Sequence, residues 1–170
     1  VLGKTCRSLL SISLYKVENK KEKIADFKTA ISSTVRSLSN SEKIEVSFGN
    51  ESSKSGKNSI RLPELSSVNN KLNHNQIRAI ADSKSLRHRF SNPKTFKQFE
   101  PEGNISKQLY KISEKIRCEK IGTSYFKGVK NNIENFYQER ISGLDLKSSE
   151  DKIVESFENY LRTKFLDFEN

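Results

Sequence analysis

Apolar residues recur every three or four positions from residue 105 to residue 136, and this repeat constrains the fold more than any other feature of the chain. Ile105, Leu109, Ile112 and Ile116 form one stripe, and Phe126, Val129, Ile133 and Phe136 continue it after a change of phase near Gly122. Such spacing places the apolar side chains on one side of an α-helix and does not suit a strand. Glycine inside a helix costs about 1 kcal/mol relative to alanine, so Gly122 predicts a break or a tight helix crossing. Pro101-Glu102-Gly103-Asn104 reads as the turn leading in, and Gly143 suits the C-terminal cap.

The same period marks three more segments. Ile24, Phe27, Ile31, Val35 and Leu38 predict a core-facing helix that Ser39-Asn40-Ser41 ends. Ile77, Ile80, Ala81 and Leu86 predict another, capped by Asn73 or Asn75, running to about Phe90 and closed by Pro93. Ser148 or Ser149 caps a last helix with Glu150 and Asp151 in its first turn, and Ile153, Phe157, Tyr160, Leu161 and Phe165 are its expected packing stripe. Between the first two helices the pattern changes to alternation. Ile44, Val46 and Phe48 share one face, Ile60 and Leu62 another, and Pro63 lacks a ladder donor. The expectation is a mainly α domain of about four to five helices with one short β-hairpin (about 43–48 and 59–62). Residues 24–170 form that single domain, with 1–23 as an N-terminal extension.

The net charge of +10 is uneven. Residues 54–131 hold 17 basic and 6 acidic groups, while residues 132–170 hold 5 and 9, so the basic excess belongs to the middle of the chain. Its densest part is Lys84, Arg87, Arg89, Lys94 and Lys97, with no acidic residue between Lys84 and Lys97. Such a patch attracts an acidic partner, an anionic cofactor or nucleic acid. Phe90, Phe96 and Phe99 lie among these cations, where they suit core packing or base stacking. Cys6 and Cys118 are far apart without metal spacing, and read as free thiols of a reducing compartment. No run of 18 apolar residues predicts a membrane span, and the start lacks a small-residue cleavage site.

Catalytic and metal-binding patterns fail one by one. The loop around Gly56-Lys57 lacks the earlier glycine and the following Ser or Thr of a phosphate loop. Asp82-Ser83-Lys84-Ser85 puts Lys84 where a metal-dependent adhesion site needs serine. His74 and His88 stand fourteen residues apart with no thiol or carboxylate at ligand spacing, so both are expected to be solvent-exposed. Glu114 and Arg117 lie three apart and predict a structural ion pair. No catalytic, cofactor-binding or metal residue is therefore assigned to this chain.

Taken in order, several weak motifs resemble one family. The helix from Phe27, Ile44-Glu45-Val46-Ser47-Phe48, a glycine-containing loop and Arg61-Leu62-Pro63-Glu64 come first. Ala81-Asp82-Ser83, Leu86-Arg87, Pro101-Glu102-Gly103, then Glu114, Arg117, Glu119, Ile121 and Gly122, and finally Gly128-Val129 and Asn132 follow. The succession, covering roughly Asp26 to Arg140, resembles the amino-terminal region of CobT, a subunit of the aerobic, ATP-dependent cobaltochelatase of cobalamin (vitamin B12) biosynthesis. Ser91 and Asn92 replace a His-Asp pair of the family, so no role of that pair carries over. The resemblance implies a bacterial, cytoplasmic accessory subunit. Its partners would be an AAA+ ATPase subunit (CobS-like) and a large cobalt- and corrin-binding subunit (CobN-like). ATP, magnesium and cobalt would serve the whole complex, and this chain would lack the family's C-terminal von Willebrand factor A domain. The domain by itself would not be catalytic. Arg61, Leu62, Pro63, Glu64, Glu114, Arg117 and Gly122 would have structural roles, and Lys84, Arg87, Arg89, Lys94 and Lys97 would form one partner-contact face. The alternative from another class is a small basic nucleic-acid-binding domain.

Overall fold

The computed structural model describes residues 2–49, 58–64, 74–141 and 148–166, with side chains for 21–49, 58–64, 74–140 and 148–166. Among these residues six helices and two strands follow in the order α1 (Leu2–Ser39), β1 (Glu45–Phe48), β2 (Ser59–Leu62), α2 (His74–Phe90), α3 (Pro93–Gln98), α4 (Asn104–Tyr125), α5 (Lys127–Ile141) and α6 (Ser149–Leu166). The mainly helical class is as expected.

Helix α1 is longer than its apolar period predicts. Residues 2–23, set apart above as an extension, are the first half of the same 38-residue helix. Its end is a Schellman cap. Asn40 takes φ 53°, its N–H donates to the Ser37 carbonyl at 3.1 Å, and the Ser41 N–H donates to the Arg36 carbonyl at 3.1 Å. The chain then enters β1, where Ile44 is buried and Val46 and Phe48 pack beside it.

The two strands pair as the alternation suggests, but the hairpin is wrong. They run parallel, with Val46 opposite Ile60 and Phe48 opposite Leu62. The Glu45 N–H donates to the Asn58 carbonyl at 3.0 Å and the Gly49 N–H to the Leu62 carbonyl at 2.9 Å. Alternation specifies which face of a strand is apolar and is silent on strand direction. Ten residues lie between the strands, and a chain of that length can reach about 33 Å, enough to return to the start of a second strand.

The first apolar cluster joins α1, the sheet and α2 through Ile31, Val35, Ile44, Ile60, Leu62 and Ala81. The second joins the helices through Leu38, Leu86, Ile116, Val129, Ile133, Tyr137 and Leu166. Helix α2 contributes to both and touches α1, β2, α4 and α5. Asn73, one of its two expected caps, lies outside the described residues. Pro93 does not merely close α2. It opens α3, where Asn92 is the N-cap, its side-chain oxygen accepting from the N–H groups of Lys94 and Thr95 at 3.0 and 3.3 Å.

Gly122 is the site of a tight helix crossing. A Cβ there would overlap the end of the Leu86 side chain, coming within 2.8 Å of its Cγ. Leu86 is fully buried and has no room to turn aside. The helical break itself falls four residues later, at Phe126, whose extended backbone (φ −125°, ψ 95°) separates α4 from α5. Gly143 lies outside the described residues. Gly122→Ala gains helix propensity but overpacks the α2–α4 crossing, so a net loss of about 1–2 kcal/mol is expected. Urea denaturation should show it as a lower midpoint at unchanged slope, and an unchanged midpoint would refute the tight crossing.

Candidate functional site

Helix α6 does not bury the face its apolar residues predict. Ile153, Tyr160 and Phe165 are 53%, 59% and 52% exposed, whereas Glu155, Glu158, Arg162 and Leu166 are buried. Its N-terminus is as expected, with the Ser148 hydroxyl accepting from the Asp151 N–H at 3.0 Å. Three of the four buried residues are charged because α4 and α5 present charges to them.

At the centre, the Arg162 guanidinium lies 3.1 Å above the Tyr137 ring. Its Nη1 donates to Glu119 Oε2 at 2.7 Å and its Nη2 to Glu158 Oε1 at 2.8 Å. Glu119 Oε1 accepts from the Ser83 hydroxyl at 2.5 Å, which ties α2 into the group. Arg140 donates to Glu155 at 2.5 Å and to Glu158 at 3.1 Å. Lys115 lies 3.7 Å from Glu158 and donates to the Tyr137 hydroxyl. Three cations thus meet three carboxylates. Burial alone would raise the Glu158 carboxyl, but Lys115, Arg162 and Arg140 outweigh it and bring its pKa down to about 2. Burial lowers the Lys115 ammonium and raises the Tyr137 hydroxyl. Each charge meets an opposite charge within the cluster, which fastens α4, α5 and α6 together.

Asp82 is different. It is 3% exposed and accepts from the Asn132 side chain at 2.8 Å. Burial outweighs that bond and the nearby Arg78, and pushes its carboxyl up to about 6. Burial likewise raises the Cys118 thiol to about 11, so this free cysteine is a poor nucleophile. The Cys6 side chain lies outside the described residues. The expected ion pair is present, Arg117 Nε reaching Glu114 Oε2 at 2.8 Å, and Arg117 also donates to the Phe90 carbonyl at 2.7 Å.

A second concentration of cations lies elsewhere. An open groove of about 1290 Å³ runs between β2, the C-terminal half of α2, and α3. Arg61, Lys84, Arg87, Lys94 and Lys97 line it, and among the described residues no carboxylate does. Lys84 Nζ donates to the Arg61 carbonyl at 2.9 Å, holding α2 against β2. The Arg87 guanidinium rests 5.2 Å from the Phe96 ring centroid, and Phe96 also stacks on Tyr110 at 4.6 Å and 18°. Four of the five cations singled out in the sequence, Lys84, Arg87, Lys94 and Lys97, therefore share one groove. Arg89 does not join them. It points to the other side of α2, donates to the Leu38 carbonyl at 3.3 Å and lies over Phe90 and Phe126.

The two histidines also part company. His74 is exposed, edge-on to Phe27 at 4.4 Å. His88, expected in solvent, is half-buried on the groove wall, and its Nδ1 is buried without a hydrogen bond among the described residues. The aromatic residues offered for base stacking are engaged or displaced. Phe90 packs on the second core cluster, Phe96 is held by Arg87 and Tyr110, and Phe99 is 64% exposed but does not line the groove.

The remaining signature residues have structural partners. Leu62 is fully buried, Lys28 Nζ reaches Glu64 at 2.6 Å, and Arg61 Nε donates to the Ser47 hydroxyl at 3.3 Å. A family model described as cobalamin biosynthesis protein CobT matches residues 21–159. The chain belongs to the CobT family. No solved structure matches it. The CobT match spans the whole groove and most of the charged cluster, with Arg162 and Leu166 just beyond it. Among the described residues no three His, Cys, Asp or Glu side chains gather to hold a metal, and no helix is long and apolar enough to cross a membrane. The Gly56-Lys57 loop lies outside them.

Asp82 and Glu158 make opposite demands on pH. Asp82 holds its proton more tightly folded (about 6) than unfolded (about 3.9), so it makes stability fall as pH rises across that window. Glu158 stabilises the fold above about 4.3, its unfolded value, and that stabilisation is lost as pH falls toward about 2. From these two groups, stability is expected to peak where the windows meet, near about pH 4. Asp82→Asn keeps an acceptor for Asn132, removes the decline between about pH 4 and 6, and adds up to about 2–3 kcal/mol at neutral pH. Thermal denaturation across pH checks both, and an unchanged profile in Asp82→Asn would remove Asp82 as the cause.

Proposed function

We propose that this chain is a non-catalytic accessory domain of the cobaltochelatase that inserts cobalt into a corrin ring during cobalamin biosynthesis. It acts in the cytoplasm through contacts with the AAA+ ATPase and large subunits, while ATP and magnesium serve the ATPase and cobalt is the cargo. Membership of the CobT family supports the pathway. The single observation that supports docking is the groove lined by Arg61, Lys84, Arg87, Lys94 and Lys97, with no carboxylate among its described residues. A concave cationic surface raises the encounter rate with an acidic partner and selects its orientation. The charged groups buried at α4, α5 and α6 satisfy one another, which supports a structural role for that end of the domain.

The nucleic-acid reading shares the same cations, but the Phe96 ring in the groove is already engaged by Arg87 and Tyr110. That leaves phosphate attraction without a stacking platform.

The test reverses charge inside and outside the groove. Lys84→Glu, Arg87→Glu, Lys94→Glu and Lys97→Glu are combined in one variant. Its comparator reverses the exposed Lys43, Lys111, Lys127 and Lys152, an equal change in net charge. Binding to the purified ATPase subunit, and separately to the large subunit, should weaken by about tenfold or more in the groove variant alone. Equal binding by both variants and the unaltered chain would refute docking through this groove.

A further inference from the structure

Resting on that docking reading and deepening it, we propose that the groove receives an acidic peptide segment of the partner protein, with apolar residues interspersed among its carboxylates. The argument begins with spacing. Lys84 and Arg87 lie three apart on α2, and Lys94 and Lys97 lie three apart on α3. Neighbours at this helical spacing are about 5–6 Å apart. Side chains at alternate positions of an extended peptide recur at about 6.6–6.8 Å. A segment with acidic residues at alternate positions therefore meets successive cations without a long lever arm.

The second argument is the wall chemistry. Ile60, Pro93 and Phe96 also line the groove. Apolar side chains between the carboxylates can cover these residues, whereas a phosphodiester chain has few groups suited to them. Phe96 offers a nucleobase no free stacking surface, since Arg87 and Tyr110 both engage it. Arg87 is itself positioned by that ring. Its planar guanidinium is thus presented in a settled orientation for a two-pronged bond to carboxylate, at less entropic cost than a free side chain.

The third argument is the surroundings. Asn92 turns its side-chain oxygen to the α3 N-cap, where it accepts from the N–H groups of Lys94 and Thr95. Glu114, whose carboxyl Arg87 helps to hold below its ordinary value, is bound to Arg117 at 2.8 Å and 2.9 Å. Among the described residues that line the groove, then, cations are present and carboxylates are not.

The probe is a labelled peptide of repeated Asp-Leu-Glu-Ser, followed by fluorescence anisotropy with the full chain at about 0.02 and 0.15 M salt. Its comparators are the same peptide with Asn and Gln in place of the acids, and oligothymidylate of equal charge. The proposal expects saturable binding of the acidic peptide, at least about tenfold tighter than either comparator, and competition with the ATPase or large subunit. Binding should be lost in Lys94→Glu/Lys97→Glu, whose two sites are exposed on α3 and leave the core intact. Circular dichroism confirms that this variant is folded. Equal or tighter binding of oligothymidylate would overturn the proposal in favour of nucleic acid. Salt-sensitive self-association that excludes the peptide would assign the groove to a second copy, and peptide binding undiminished in the variant would move the site elsewhere. If both subunits bind through the groove but the peptide does not, docking stands and the acidic-segment proposal falls. If the peptide binds there and neither subunit does, the groove keeps its ligand class and the chelatase reading falls.

Discussion

Arg162 sits between Glu119 and Glu158 with its guanidinium laid on Tyr137, and the arrangement of the helices depends on that contact. A charge this deeply buried is tolerated only when its hydrogen-bonding groups find partners, because removing one member leaves another uncompensated at a cost of about 3–5 kcal/mol. The network meets that requirement with groups from four helices: Ser83 from α2, Lys115 and Glu119 from α4, Tyr137 and Arg140 from α5, and Glu155, Glu158 and Arg162 from α6. It is directional where apolar packing is not. A small rotation of α6 would bury the same area of side chain but would break these bonds.

That requirement explains the exposed Ile153, Tyr160 and Phe165. An amphipathic helix ordinarily turns its apolar stripe inward. Here the gain from burying that stripe competes with the desolvation of three charged side chains already committed to partners on α4 and α5. Leu161 and Leu166 still reach the apolar cluster at the edge of the network, so α6 is anchored by both kinds of contact.

Helix α2 transmits this order to the groove. Its Leu86 fills the space left by Gly122, its Ser83 joins the charged network, and its Lys84 and Arg87 stand on the groove wall. Residues one or two apart on a helix face different directions, so the same short segment builds core on one side and a cationic surface on the other. Asn92 and Pro93 then turn the chain into α3 and bring Lys94 and Lys97 to the same groove.

Much of this was legible in the sequence. The period of the apolar residues specified the helices, Asn40 and Ser148 marked their ends, alternation found both strands, and the order of weak motifs pointed to the family. These are local properties, set by backbone geometry and by neighbours within a few residues. The buried face of α6 was not legible in this way. Glu155, Glu158 and Arg162 lie at helical spacing, but the same pattern also describes a solvated surface, and their partners are contributed by distant segments. The direction of β2, the departure of Arg89 from the other cations and the half-burial of His88 have the same origin. By itself the sequence determined both strands, most of the helices (α3 and the first part of α1 excepted) and where positive charge accumulates. Tertiary structure alone decided which faces meet, because burial of a charge is settled by whether remote residues bring it a partner.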